Sequence, residues 1–236
     1  MIDFHSHILP NVDDGSTSME ETIKLIKEAK QVGFTGIIST SHYLQGHYEF
    51  CGEERRKILE NVKMYLVPNF TKLYLGSEIY VSPEILELIK DSKASTINNT
   101  RYVLFELPMN SKTLFIKDIV FKLIQNGYKP IIAHPERYSY VQDDIEYVEE
   151  LANMGVLFQA NYGSIIGLYG SGAKKTLKKL LKNNLISFLG SDVHRVGQIY
   201  PKIPKILKKL NKLISAEQLE QLTTLNAQKV LNDEEL

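Results

Sequence analysis

A chain of 236 residues with 43% hydrophobic residues is long enough to bury one sizeable core. Its 28 basic and 28 acidic residues cancel, which argues against a nucleic-acid partner or a membrane surface. A single cysteine, Cys51, excludes an internal disulfide framework and fits a reducing compartment. The chain has no apolar run of roughly 20 residues for membrane insertion and no signal-peptide pattern at its start. We therefore expect a soluble, cytoplasmic α/β protein, with residues 1–236 forming a single domain.

Seven short apolar segments have the length of β-strands. Several of them are apolar on both faces, as strands of a buried parallel sheet must be. The predicted strands are residues 2–7, 36–41, 72–79, 102–107, 129–134, 156–161 and 185–190. Longer stretches separate these segments, and most of the stretches have helical periodicity.

The helical segments begin after residue 18. Ser18 and Glu21 form a capping-box pattern, and Ile23, Ile26 and Ala29 follow at helical spacing. Later helices are predicted at residues 115–126, 144–154, 173–183, 203–214 and 216–231. The repeated strand–helix unit favours a single closed or nearly closed β/α barrel, although a doubly wound open sheet has the same periodicity.

The helix predicted at residues 173–183 is strongly basic. A phosphate-binding surface is one interpretation of its lysines, Lys174, Lys175, Lys178, Lys179 and Lys182. The interleaved Leu177, Leu180 and Leu181 instead favour an ordinary solvated face on a packed helix.

Polar residues interrupt the predicted strands repeatedly at their carboxyl ends. In a β/α barrel these ends converge on one face, where active sites form. Nine potential ligands therefore point into one mouth: His5, His7, Asp14, His42, Glu78, Glu106, His134, Asp192 and His194. Asp13 is the less favoured neighbour of Asp14, and His47 is left out because it lies in a loop.

The charge of this set predicts metal ions. Four carboxylates and five imidazoles in one pocket would repel one another or be desolvated unless cations lay among them. Imidazole and carboxylate suit zinc, manganese or iron. His5 and His7 lie on one face of their strand, since the side-chain period of a strand is two. Nine ligands exceed the capacity of one ion, so we expect two or three ions and a bridging carboxylate.

Several of these segments resemble a known superfamily. They are Met1–His7 (MIDFHSH), Asp13-Asp14-Gly15, residues 39–42 (STSH), Gly76-Ser77-Glu78-Ile79, residues 132–137 (IAHPER) and residues 190–194 (GSDVH). In order and spacing they resemble the polymerase-and-histidinol-phosphatase (PHP) superfamily. They are most similar to its bacterial tyrosine-protein phosphatases, which are encoded in capsule and exopolysaccharide operons.

The resemblance implies a distorted β/α barrel of the PHP type, with seven strands, and a trinuclear site that favours manganese. One ion would be held by His5, His7, Glu78 and Asp192, a second by Glu78, Glu106 and His134, and a third by Asp14, His42 and His194. Arg137 matches a phosphate-binding arginine of the family. The family's second arginine, which belongs to an arginine–proline segment after the last ligand, has no direct match, and Arg195 is the candidate replacement.

The function that follows is hydrolysis of phosphotyrosine on a protein by attack of a metal-activated water molecule. The resemblance implies a role in capsule or exopolysaccharide synthesis, with the tyrosine-rich tail of a bacterial tyrosine kinase as substrate. The alternatives are a histidinol-phosphate type of phosphatase and a non-catalytic metal-binding regulator. Tyr43 and Tyr162 either line the entrance or are ordinary loop aromatics.

Cysteine-based phosphatase chemistry is disfavoured by the residues around Cys51. Such enzymes need an arginine six residues after the cysteine, whereas Arg56 comes one place early and two glutamates lie between. These acids would repel phosphate and raise the pKa of the thiol. We predict that Cys51→Ser leaves hydrolysis of p-nitrophenyl phosphate unchanged, and an inactive, folded variant would contradict the metal mechanism.

Overall fold

A computed structural model describes residues 1–67 and 70–236, which form a parallel sheet with helices between its strands. The strands are β1 (Ile2–Ser6), β2 (Gly36–Ser39), β3 (His42–Tyr43), β4 (Lys72–Leu75), β5 (Glu78–Tyr80), β6 (Tyr102–Glu106), β7 (Lys129–Ala133), β8 (Leu157–Asn161) and β9 (Phe188–Gly190). The helices are α1 (Met19–Gln31), α2 (Gly52–Met64), α3 (Ile85–Lys90), α4 (Ile116–Gln125), α5 (Ser139–Asp143), α6 (Glu146–Asn153), α7 (Gly170–Lys182), α8 (Ile203–Leu210), α9 (Ala216–Glu220) and α10 (Asn226–Leu231).

All seven predicted strand segments contain strands, but two of them are interrupted. In the segment predicted at residues 36–41, β2 ends at Ser39 and β3 begins only at His42, whereas residues 72–79 divide into β4 and β5. At the second break, side chains pack closely against the Gly76 backbone, and a Cβ there would lie 2.7 Å from Ile97 Cδ1. The described residues therefore do not contain seven continuous strands.

Every strand pair is parallel, and the sheet curls round until its outer strands meet. The ladders run β1-β2-β4 and β3-β5-β6-β7-β8-β9, and they are joined because β3 follows β2 and β5 follows β4. Beyond β9, the Asp192 N–H donates to the His5 carbonyl at 2.8 Å. The His7 N–H donates to the Val193 carbonyl at 3.0 Å. The curvature brings strands that are distant in sequence to one mouth.

The amino ends of the strands are covered by the carboxyl-terminal part of the chain. The Phe4 and Phe188 rings stack at 3.9 Å between β1 and β9, and Ala227 and Val230 of α10 belong to the same buried cluster. Arg101, just before β6, forms ion pairs with Asp233 and Glu235 near the chain end. The carboxyl ends of the strands are therefore the ones left for a site.

The helices differ from prediction mainly in their bounds. The Ser18 side chain caps α1 by accepting the Glu21 N–H at 3.1 Å, as predicted, but the Glu21 carboxylate accepts the Thr17 N–H. Residues 216–231 form two helices joined by a π-helical turn, and α2, α3 and α5 were not predicted. None of the helices in the described ranges is long and apolar enough to cross a membrane.

Arg55 of α2 is completely buried, although its hydrogen-bond acceptors are all uncharged. Its guanidinium donates to the Ser41 carbonyl at 2.8 Å, the His42 carbonyl at 2.6 Å and Ser77 Oγ at 2.7 Å. Ser41 and Ser77 belong to the two breaks in the strands. Arg55 therefore ties α2 to the backbone that carries His42 and Glu78.

We predict that Arg55→Met lowers the free energy of unfolding by about 3 kcal/mol, because it leaves several buried acceptors unpaired. Urea unfolding followed by circular dichroism measures the change. Arg56→Met is the matched control: Arg56 is exposed and contacts Asn99 Oδ1, so a change below about 0.5 kcal/mol is expected. Equal losses for the two variants would contradict the role assigned to Arg55.

Candidate metal centre

The nine predicted ligand residues lie together at the carboxyl ends of the strands. Each belongs to at least one group whose donor atoms are all within 4.8 Å of one another. The groups are His5, His7 and Glu78; His5, His134 and Asp192; His42, Glu78 and Glu106; and His7, Asp14, His42 and His194. We call these nine residues the ligand cluster.

The inner half of the ligand cluster is buried. The Nε2 atoms of His5 and His7 are 3.1 Å apart. Glu78 Oε2 lies 3.4 Å from each of these nitrogens. Asp192 Oδ1 lies 3.3 Å from His5 Nε2 and 3.4 Å from His7 Nε2. Two imidazoles and two carboxylates thus direct donor atoms at one small volume.

Glu78 connects this volume to two further histidines. Its Oε1 is 2.8 Å from His134 Nε2, and its Oε2 is 3.1 Å from His42 Nδ1. Glu106 Oε1 is 3.4 Å from the same His42 nitrogen. The position of Glu78 between these groups is that expected of a bridging carboxylate.

The outer half of the ligand cluster is open to solvent. The Asp14 side chain is 52% exposed, whereas that of Glu78 is 1% exposed. Asp14 Oδ1 lies 3.3 Å from His194 Nε2 and 3.7 Å from His42 Nε2. The His7 and His194 rings stack at 4.1 Å, which links the outer half to the inner one. A substrate would enter from this side.

The electrostatics of the ligand cluster fit divalent cations. Burial and the negative charge of Glu78 raise the pKa of Glu106. Burial, together with the charge of His7, lowers the pKa of His42 to about 4. Glu78 Oε2 is buried without a hydrogen-bond partner among the described residues. Imidazoles around crowded carboxylates form a donor set that cations satisfy.

Asp13, which the sequence analysis ranked below Asp14, contacts two residues of the ligand cluster. Its Oδ2 is 2.8 Å from His7 Nδ1 and accepts the His42 N–H at 2.7 Å. Burial opposes its ionisation, but the charge of His7 and the hydrogen bonds outweigh this and lower the pKa of Asp13. Gly15 permits the turn, since a Cβ there would lie 2.2 Å from the His7 carbonyl oxygen. Asp13 thereby holds His7 Nδ1, and the other ring nitrogen, Nε2, is directed at His5 in the ligand cluster.

Asp192 is positioned by residues that sequence patterns did not identify. The Asn161 side chain donates to Asp192 Oδ2 at 2.7 Å. Asp3 accepts the Ser191 N–H at 2.7 Å and the Tyr200 hydroxyl at 2.8 Å. Asp192 has a φ of 53°, in the left-handed region that non-glycine residues seldom adopt. His134 is also in that region, and such strained positions concentrate at functional sites.

The two candidate arginines have different surroundings. Arg137 Nη1 donates to Asp192 Oδ2 at 2.7 Å, and its guanidinium lies over the Tyr169 ring at 4.5 Å. Arg195 instead donates to the carbonyls of Asp14 and His194, at 2.8 and 2.7 Å, and to that of Gly15. Arg137 is therefore held against the ligand cluster, whereas Arg195 binds the backbone at its rim.

The aromatic residues at the mouth are not the two considered from sequence. Tyr162 is completely buried and Tyr43 is 4% exposed, so neither lines an entrance. Tyr48 stacks over His42 at 6.0 Å between ring centroids, and Tyr169 covers Arg137. Their loops lie outside the strand pattern, so no spacing in the sequence indicated them.

Known proteins are similar to this chain along its whole length. The family model described as "Capsular polysaccharide synthesis, CpsB/CapC" matches residues 1–232. Tyrosine-protein phosphatase CpsB of Streptococcus agalactiae is 32% identical over 240 residues, which cover 99% of both chains. Tyrosine-protein phosphatase YwqE of Bacillus subtilis is 30% identical over 198 residues, covering 83% of this chain and 78% of the relative.

A solved structure extends the similarity to the fold. It comes from work on YwqE of Bacillus subtilis and CpsB of Streptococcus pneumoniae, described as metal-dependent tyrosine phosphatases. It matches with a TM-score of 0.94 and 28% identity over 100% of this chain and 96% of the other. With the family model spanning nearly every residue, the chain belongs to the CpsB/CapC family of capsular polysaccharide synthesis.

Proposed function

We propose that this chain is a metal-dependent protein-tyrosine phosphatase that acts in capsule or exopolysaccharide synthesis. The observation that supports this most is the meeting of nine nitrogen and oxygen ligands with Arg137 at one mouth. The names of the relatives agree, since they are tyrosine-protein phosphatases. Residues 1–236 would form a single domain, a distorted seven-stranded barrel of the PHP type in which β2 with β3, and β4 with β5, each count as one strand.

The ligand cluster would hold two or three divalent ions, with manganese favoured and zinc or iron as alternatives. When bound, such ions supply Lewis acidity and lower the pKa of a water molecule towards ~7. The partition among three sites given above is part of the proposal, with Glu78 as a bridging ligand. The groups of neighbouring donor atoms differ from this partition in part. His134 lies with His5 and Asp192, whereas the partition places it with Glu78 and Glu106.

The protein's own residues bind and orient the phosphate. Arg137 would form charge-assisted hydrogen bonds to phosphate oxygens, and the Tyr169 ring restricts its guanidinium. Arg195 would add a second contact only after leaving the carbonyls of Asp14 and His194. The leaving tyrosine has a pKa near ~10, so its departure needs less protonation than that of an alkyl alcohol.

The proposed substrate is a phosphotyrosine protein, and the tyrosine-rich tail of a bacterial tyrosine kinase is its proposed source. The mouth supports a protein substrate because its outer ligands Asp14 and His194 are partly exposed. A cytoplasmic location is part of the proposal and is supported by the single cysteine.

We predict manganese-dependent hydrolysis of a phosphotyrosine peptide, and its loss to background after treatment with EDTA, because the ligand cluster without cations cannot activate water. Phosphate release is measured for phosphotyrosine and phosphoserine peptides and for histidinol phosphate. Faster hydrolysis of histidinol phosphate than of the phosphotyrosine peptide would contradict the proposed substrate and favour the histidinol-phosphate type of phosphatase. If none of these substrates were hydrolysed in a chelator-sensitive reaction, the phosphatase function would be contradicted. The alternative of a non-catalytic metal-binding regulator would then be favoured.

We predict that Asp13→Asn weakens manganese binding about 10- to 100-fold, since an amide cannot hold His7 and accept the same backbone hydrogen bonds as a carboxylate. Manganese retained after dialysis against graded metal concentrations measures the change, and excess manganese should restore part of the activity. Asp143→Asn is the control, because Asp143 is exposed at the end of α5. Unchanged metal affinity of Asp13→Asn would contradict the orienting role of Asp13.

A further inference from the structure

The charge of this neutral chain is segregated. Residues 163–215 contain ten lysines and one arginine but only one acidic residue, Asp192, which is buried in the ligand cluster. Among the described residues, no carboxylate lies within 4.0 Å of any of these lysines. Lysines elsewhere do form such pairs, as Lys24 does with Glu20 and Lys117 with Glu150. This part of the surface therefore carries uncompensated positive charge.

Part of this charge surrounds a groove between α7 and the end of α8. The groove has a volume of about 370 Å³ and an apolar floor, and it is lined by Ile165, Lys174, Lys178, Lys209, Lys212 and Leu213. We call these six residues the lysine groove. Desolvation and the charges of Lys174, Lys205 and Lys178 lower the pKa of Lys209. Ammonium groups from two helices thus share one concave surface.

A short stretch of chain joins the lysine groove to the mouth of the candidate metal centre. Asn161 contacts Asp192 at the end of β8, and the short helix Tyr162–Ile166 that follows supplies Ile165 to the groove floor. Tyr169, which covers Arg137, precedes Lys174 by five residues. Most of that interval belongs to the first turn of α7, and five residues of an α-helix rise about 8 Å. A peptide residue extends about 3.3 Å, so a few residues would bridge mouth and groove.

We propose that the lysine groove binds an acidic segment that flanks the phosphotyrosine of the protein substrate. This rests on the proposed function. The concave shape favours an extended acidic chain, whose side chains meet lysines on both walls while its aliphatic parts contact Ile165 and Leu213. A cluster of like charges also steers an anionic partner toward the mouth and raises the rate of encounter.

Fluorescence anisotropy with two labelled, unphosphorylated peptides tests the binding. Both contain one tyrosine; one has aspartate and glutamate on either side, and the other has asparagine and glutamine. We expect tighter binding of the acidic peptide and a decrease of about three- to tenfold for the double variant K178Q/K212Q. Binding should weaken with added salt, since the groups are exposed. Equal binding of the two peptides, or no effect of K178Q/K212Q, would overturn the proposal.

Matched variants separate charge at this place from charge in general. K178R/K212R keeps the charge and should bind as the original chain does. K57Q/K117Q removes two exposed lysines outside the groove and should also have no effect. If K57Q/K117Q weakened binding equally, the attraction would be a property of the whole surface and the proposal would fail.

Kinetics distinguish this inference from the proposed function. With phosphorylated versions of the peptides, K178Q/K212Q should raise KM for the acidic one and leave kcat unchanged. Turnover of p-nitrophenyl phosphate, which has no flanking segment, should be unaffected. If the original chain did not hydrolyse p-nitrophenyl phosphate, the proposed phosphatase function would be contradicted. The anisotropy measurement would still show whether the lysine groove binds the acidic peptide. Binding of the groove to phosphatidylglycerol vesicles, with no preference between peptides, would assign it to lipid instead.

Discussion

The carboxylate of Glu78 lies within 3.4 Å of nitrogen atoms from four histidines, His5, His7, His42 and His134. These histidines belong to the ends of β1, β3 and β7, which are far apart in the chain. A completely buried carboxylate is costly unless positive or hydrogen-bonding groups surround it. The sheet supplies those groups by curling until β1 and β9 meet. The burial of the Glu78 carboxylate therefore depends on the curvature of the sheet, which brings the four histidines around it.

The supporting contacts act on backbone as much as on side chains. Arg55 binds the carbonyls of Ser41 and His42 at a break in the sheet, and Asp13 binds the N–H of His42 from the other side. Asp3 holds Ser191, next to Asp192. These groups hold the backbone at several breaks and turns from which ligands project. A regular, unbroken strand would give the ligands less freedom to converge.

The molecule also separates its charges by location. Four carboxylates lie in the ligand cluster, where cations would compensate them, whereas the lysines of α7 and α8 have no carboxylate within 4.0 Å in the part of the chain that the structure describes. The segment 162–174 connects the two regions, because it begins beside Asp192 and ends in the lysine groove. The basic helix identified from sequence has its leucines buried, as a packed helix should. What the sequence could not indicate is that α8 places further lysines beside it.

The sequence alone predicts most of the strand positions and the nine residues that meet in the ligand cluster. Strands buried on both faces have a continuous apolar pattern, and His, Asp and Glu at their carboxyl ends interrupt it at recognisable positions. The residues that support the ligands were not determined in this way. Arg55 and Asn161 have ordinary surroundings in the chain, and the segments that contain Asp3 and Asp13 do not show which atoms these residues contact. The contacts involve partners up to 197 residues away. The breaks within residues 36–41 and 72–79 are likewise set by packing between strands and helices. These features depend on the tertiary structure, because the periodicity of a segment indicates which of its faces is buried but not which distant atoms that face contacts.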